Sequence, residues 1–205
     1  SFNFNHGTKS IHKYETKQGR RAMWFRSWTP ETDEDRAVIL EDALEVSPSW
    51  YPWMEKAWSA YGDRPDLGGV SLCRQRLRAS DGEVVEKEWS DPFLHRVPGS
   101  HGFSPKARHW REFVDWTESV PDLNAVDVDV SGTVTTQWHR DGLDTWEQYW
   151  VWWCWGSSLI AGSKSLYNLY VHPPDHAALV RHEMDASTSL VGLKEYEKEL
   201  NAFPK

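Results

Sequence analysis

Apolar and polar positions along this chain change rhythm several times, and each rhythm predicts an element. The longest regular stretch begins at Ala125. Val126, Val128, Val130, Gly132, Val134, Thr136 and Trp138 alternate with Asp127, Asp129, Ser131, Thr133, Thr135, Gln137 and His139. A period of two predicts a strand with one apolar and one wet face. Arg140-Asp141-Gly142-Leu143-Asp144 reads as a turn, and Thr145–Trp155, "TWEQYWVWWCW", reads as the return strand. The two halves predict a long antiparallel ribbon over about 125–155.

Elsewhere the same reading alternates hairpins with helices. Residues 10–17 and 21–28 flank Gln18-Gly19-Arg20 as a first hairpin. Thr29-Pro30-Glu31-Thr32 signals a helix start, followed by a stripe of Ile39, Leu40, Ala43, Leu44 and Val46. Ser47-Pro48 opens a second helix carrying Trp50, Trp53, Met54, Ala57, Trp58 and Tyr61, which Gly62 ends. Asp81-Gly82 joins strands 70–79 and 83–89. Ser104-Pro105 opens a helix whose buried stripe is Trp110, Phe113, Val114 and Thr117. Residues 165–172 read as a strand, and two helices follow from Asp175 and from Ser187. The expected fold is α+β: antiparallel β-hairpins, including the Trp-rich ribbon, packed with four to five helices in a single domain spanning 1–205.

Composition sharpens one part of this picture. The chain has fourteen tryptophans, and five of them lie in the return strand. In a strand, Trp146, Trp150 and Trp152 share one face and Trp153 and Trp155 the other, so neither face is polar. Either a helix covers the second face, or those rings form a protein interface or a glycan-stacking platform. Trp146, Trp150, Trp152, Trp153 and Trp155 are therefore the interface candidates.

Charge narrows the partners. The net charge of −8 disfavours nucleic acid, because an acidic chain repels phosphate backbones. Arg74, Arg76 and Arg78 share a strand face, but Glu83, Glu86 and Glu88 on the partner strand offer cross-strand pairing. No run approaches the roughly eighteen apolar residues of a membrane span. Ser1–Ser10 has no charged-then-apolar leader pattern, so a cytoplasmic or virion location without a signal peptide is expected. Cys73 and Cys154 are too few and too far apart for a disulfide framework or a zinc site.

Candidate chemistry is sparse. No P-loop, GxGxxG or GxSxG is present. His139-Arg140-Asp141, with His172 and then Arg181, resembles the facial triad of 2-oxoglutarate-dependent iron oxygenases. The resemblance implies His139, Asp141 and His172 as metal ligands and Arg181 as a co-substrate anchor. It covers four residues, and the interval from Asp141 to His172 is short for the strands that fold requires.

The leading expectation is a non-enzymatic structural or assembly protein without cofactor, making contacts with other subunits, its own copies or neighbours. A bacteriophage tail, neck or capsid-associated component is one concrete version. The alternatives are an acidic inhibitor or immunity-type protein masking a basic partner, and a small metal-dependent oxygenase.

Overall fold

A computed structural model describes residues 6–73, 75, 77–84, 92–156, 164–170, 177–182 and 189–190. Its elements, in order, begin with α1 (Arg20–Phe25), β1 (Leu44–Val46), α2 (Trp50–Tyr61), β2 (Leu67–Ser71), β3 (Phe93–His95) and β4 (Phe103–Pro105). After these come α3 (Ala107–Ser119), a 3-10 turn (Leu123–Ala125), α4 (Val134–Arg140) and α5 (Trp146–Trp155). Short strands β5 (Tyr167–Tyr170), β6 (Ala177–Ala178), β7 (Val180–His182) and β8 (Ser189–Leu190) follow. The fold is α+β.

The central sheet runs β3-β5-β2-β4. Its middle pair, β2 and β5, is parallel, and both outer pairs are antiparallel. Ile39 extends the margin beyond β4, exchanging both backbone hydrogen bonds with Phe103 at 2.8 and 3.1 Å. Two smaller pairs, β1–β7 antiparallel and β6–β8 parallel, lie apart from it in the hydrogen-bonding order.

Two large apolar clusters make the core. One gathers Phe103, Trp110, Phe113, Trp146, Tyr149, Trp150 and Trp153, and the other gathers Trp53, Met54, Ala57, Trp58, Leu67, Val70 and Leu169. The middle strand admits large rings because it reads Leu67-Gly68-Gly69-Val70. A Cβ on Gly69 would sit 2.5 Å from Phe103 Cζ and 2.8 Å from the Ser104 carbonyl oxygen, closer than atoms can approach.

The helices at 47–61 and 104–117 form where the apolar stripes place them. Trp53, Met54, Ala57 and Trp58 are buried in α2, and Gly62 closes it, its N–H donating to the Trp58 carbonyl at 2.8 Å. Helix α3 buries Trp110, Phe113 and Thr117 as expected. It starts two residues late, because Ser104 and Pro105 belong to β4, where the Ser104 hydroxyl accepts from Trp58 Nε1 at 2.9 Å. The strand at 165–172 is present as β5, and the Asp81-Gly82 turn is flanked by an antiparallel Leu77–Val84 bridge.

Five expectations are corrected. The ribbon over 125–155 does not form. Residues 127–130 are neither helix nor strand, with Val128 and Val130 buried, and the chain turns at Gly132 and enters α4. The alternation beyond Gly132 is coincidental, and Asp141-Gly142 ends a helix, not a hairpin arm. The Asp141 backbone N–H donates to the Gln137 carbonyl, and Gly142 adopts φ 82°, a left-handed conformation that lacks steric cost only for glycine. The Trp-rich segment is α5. Trp146, Tyr149, Trp150 and Trp153 stand at i, i+3, i+4 and i+7, the helical spacing that joins one face to the core.

The hairpin at 10–28 is replaced by an irregular arm and α1. Trp24 and Phe25 are adjacent and both buried, whereas a strand would send them to opposite faces. The helix expected after Thr29 gives way to a local turn. Asp35 accepts from the N–H groups of Glu31 and Thr32 and from the Thr32 hydroxyl, competing with helical bonding. The helix expected from Asp175 is overturned at 177–182, where β6 and β7 stand, and Val180 pairs with Val46. The helix expected from Ser187 has Ser189–Leu190 in β8, and its remaining residues lie outside those described.

Candidate interaction surface

Helix α5 buries eight of its ten residues; Trp152 and Trp155 are half-buried. A helix apolar on all sides belongs inside a protein. Of the five interface candidates, Trp146, Trp150 and Trp153 are therefore core residues of the folded chain. The remaining edges are capped. Arg96 lies 4.3 Å over Trp155 and Lys164 lies 4.3 Å over Trp153, cation–π contacts that cover ring faces with charge. Trp152 packs against Trp116 with centroids 5.0 Å apart.

Three indole N–H groups around the aromatic core are paired. Trp155 donates to the Leu166 carbonyl at 2.8 Å, Trp110 to the Trp28 carbonyl at 3.1 Å, and Trp146 to the Ser100 hydroxyl at 3.2 Å. These bonds satisfy three of the donors, whereas Nε1 of the fully buried Trp150 has no hydrogen-bond partner among the described residues.

Exposed apolar side chains lie elsewhere, Tyr51, Val84 and Leu143 singly and others around the arm and α1. Every residue from His6 to Lys17 is exposed, and this arm has no helix or strand. Ile11 is 66% exposed and Tyr14 44%. Beside the arm lies an open groove of about 1000 Å³ with Trp24 and Ile39 among its lining. Met23 and Leu40, 44% and 43% exposed, also line it.

Sequence reasoning missed this place. Its signal was a short stretch of scattered apolar residues flanked by lysines, with no period to mark it.

One wall is held by a charged network. Arg20 Nε donates to Glu41 at 2.7 Å, and Arg20 Nη2 donates to Glu147 at 3.0 Å. Trp24 Nε1 donates to the same Glu41 oxygen at 2.5 Å, and the Ser100 hydroxyl donates to Glu147. Burial works against the Arg20 charge, but Glu147 and Glu41 more than offset it and hold the guanidinium more firmly protonated than usual. Trp24 stacks on Trp146 at 4.0 Å, so the groove wall and the aromatic core are one continuous packing unit.

Of the three candidate metal ligands, two are described. His139 and Asp141 stand at the end of α4, two residues apart, a spacing that faces different directions on a helix. The His139 ring packs edge-on against Tyr149 at 5.5 Å, and Asp141 accepts from Gln137 Nε2 at 2.7 Å. His172 and the Arg181 side chain lie outside those described. Among the described residues, no group of three or more His, Cys, Asp or Glu is placed to hold a metal.

Of the arginine stripe, Arg78 pairs with Asp81 and Glu83, while Arg74, Arg76, Glu86 and Glu88 lie outside the described residues. Burial pushes the Cys73 thiol up to about 12 and the Cys154 thiol well above its usual value, disfavouring thiolate at both. Among the described residues, no helix is long and apolar enough to cross a membrane.

Comparison with known families and with curated proteins finds no family model and no curated relative that matches this chain.

Proposed function

We propose that this chain is a non-enzymatic structural or assembly protein, working through contacts with other protein subunits. Its concrete setting would be a particle such as a bacteriophage virion, as a tail, neck or capsid-associated component. One observation carries the reading: Tyr14, Met23 and Leu40, each more than 40% exposed, line one open groove. Scattered apolar residues on a surface need no explanation, whereas a grouped set beside a concavity is the usual mark of a protein contact. The tryptophans support it indirectly, since a dense aromatic core gives a rigid body on which an arm can be presented.

Light scattering behind a sizing column, over a concentration series, tests the proposal. The expected result is a mass rising above the monomer's 23.8 kDa with concentration. A mass fixed at the monomer at every concentration would overturn self-assembly. Capture of a defined neighbouring subunit would then be required to keep the assembly reading.

A further inference from the structure

We infer that the peptide bond between Lys13 and Tyr14 is a processing site, where an endopeptidase selective for lysine or arginine cuts the arm from the folded body. The inference goes beyond the assembly reading and does not need it, since a monomer presents the same bond.

A protease takes its substrate as an extended strand and needs several consecutive residues free of other structure. The arm supplies them. Every residue from His6 to Lys17 is exposed, and from residue 8 to residue 14 the chain has no helix, strand, turn or bend. Lys13 lies in that stretch and offers the cationic side chain that a trypsin-like pocket, built around a carboxylate, accepts. Ile11 and Tyr14, 66% and 44% exposed, leave both flanks of the bond open.

The next basic residues along the chain are withdrawn. Lys17 follows a bend at 15–16. There Gln18 Nε2 donates to the Thr16 carbonyl at 3.1 Å, and Gln18 Oε1 accepts from Arg26 Nη1 at 3.1 Å. The Lys17–Gln18 bond is thus folded back and tied to the end of α1. Arg20 and Arg21 lie inside α1. Arg20 bridges Glu41 and Glu147, and Arg21 donates to the Tyr149 hydroxyl at 2.6 Å and to Asn124 at 2.8 Å. Presenting either as an extended strand would unwind α1 and lift Trp24 off Trp146. Such local opening costs free energy that an already open segment does not require.

The step is hydrolysis. The oxygen of water joins the Lys13 carbonyl carbon, the C–N bond breaks, and both water protons end on the Tyr14 nitrogen, giving a carboxylate and an ammonium. The cut removes Lys9 and Lys13 and no acidic side chain, so the remaining body is more acidic. It also takes His12 out of the groove lining, while the Gln18–Arg26 anchor stays.

Limited trypsin digestion of the full chain tests this, with the initial rate at each bond read by mass spectrometry of the products. The expected first product begins at Tyr14. The Lys13–Tyr14 bond should be cut more than about a hundredfold faster than the bonds after Arg20 and Arg21. In the urea-unfolded chain the three rates should converge to within about tenfold, which ties the difference to the fold. Lys13→Gln should abolish that product at an unchanged denaturation midpoint, and the fragment starting at Tyr14 should keep the midpoint of the whole chain. Equal rates after Lys13 and Arg21 in the folded chain, or first cleavage after Lys17, would overturn the assignment. So would a Lys13–Tyr14 bond that survives under conditions where the unfolded chain is digested.

Discussion

Helix α5 and the N-terminal arm treat apolar side chains in opposite ways. Helix α5 concentrates five tryptophans within ten residues and buries or half-buries all of them. The arm from His6 to Lys17 contains two large apolar residues and exposes both. Density of aromatic residues therefore says little about where a surface is adhesive. A ring in a crowded segment finds other rings, as Trp150 finds Phe113 at 5.1 Å, Trp153 at 5.5 Å and Trp110 at 5.7 Å. A lone ring on irregular backbone has fewer neighbours to bury it, so Tyr14 stays 44% exposed.

The contrast can be broken most strongly in the core. Trp150→Ala should cost about 3–5 kcal/mol, since the ring is fully buried and its removal leaves a large cavity. Urea denaturation measures it, and a cost under about 1 kcal/mol would mean that α5 does not sit in the core. Gly69→Ala should cost about 1–3 kcal/mol by forcing Phe103 and the β4 backbone away. Gly142→Ala, at a position with open space but positive φ, separates backbone strain from crowding and should cost about 1 kcal/mol.

The core side of the comparison also predicts a pH dependence. Burial, aided by Lys164, Lys106 and Arg108, lowers His109 to about 4, and burial lowers His95 as well. The folded state thus takes up these protons later than the unfolded chain, whose histidines titrate near 6.5. Stability from this source is complete above about pH 6.5 and is lost as pH falls toward about 4. Melting temperature against pH should show this decline, and His109→Gln should flatten part of it.

The smallest stability effect belongs to the arm. Ile11→Ser with Tyr14→Ser should change unfolding free energy by less than about 0.5 kcal/mol, because neither side chain is buried. A loss comparable to that of Trp150→Ala would show that the arm is part of the core and erase the distinction between the two regions.

The elements differ in how far they could be read in advance. Helices α2 and α3 carry stripes at the helical period, bounded by Gly62 and by Ser104-Pro105, so pattern and packing agree. Helices α4 and α5 were masked by local preference. Thr, Val, Trp and Tyr favour strands, and the alternation of residues 126–130 runs on into Val134, Thr136 and Trp138. The helical signal was nevertheless present at Trp146, Tyr149, Trp150 and Trp153. It was hidden because Val151, Trp152, Cys154 and Trp155 at the other positions of α5 are also apolar or aromatic. The groove was not legible at all, because it joins the arm and α1 to residues 39–42 across a turn no period marks.

By itself the sequence determined the mixed α+β character, two of the helices, strand β5 and the turn at Asp81-Gly82. These depend on neighbours within a few residues, where spacing and turn chemistry act directly. Tertiary structure decided that the Trp-rich segment is a buried helix, that Arg20 bridges Glu41 and Glu147, and that Tyr14, Met23 and Leu40 line one groove beside α1. Each of these depends on groups distant in the chain. A short apolar run can satisfy its backbone as helix or strand, and only the surfaces it meets choose between them.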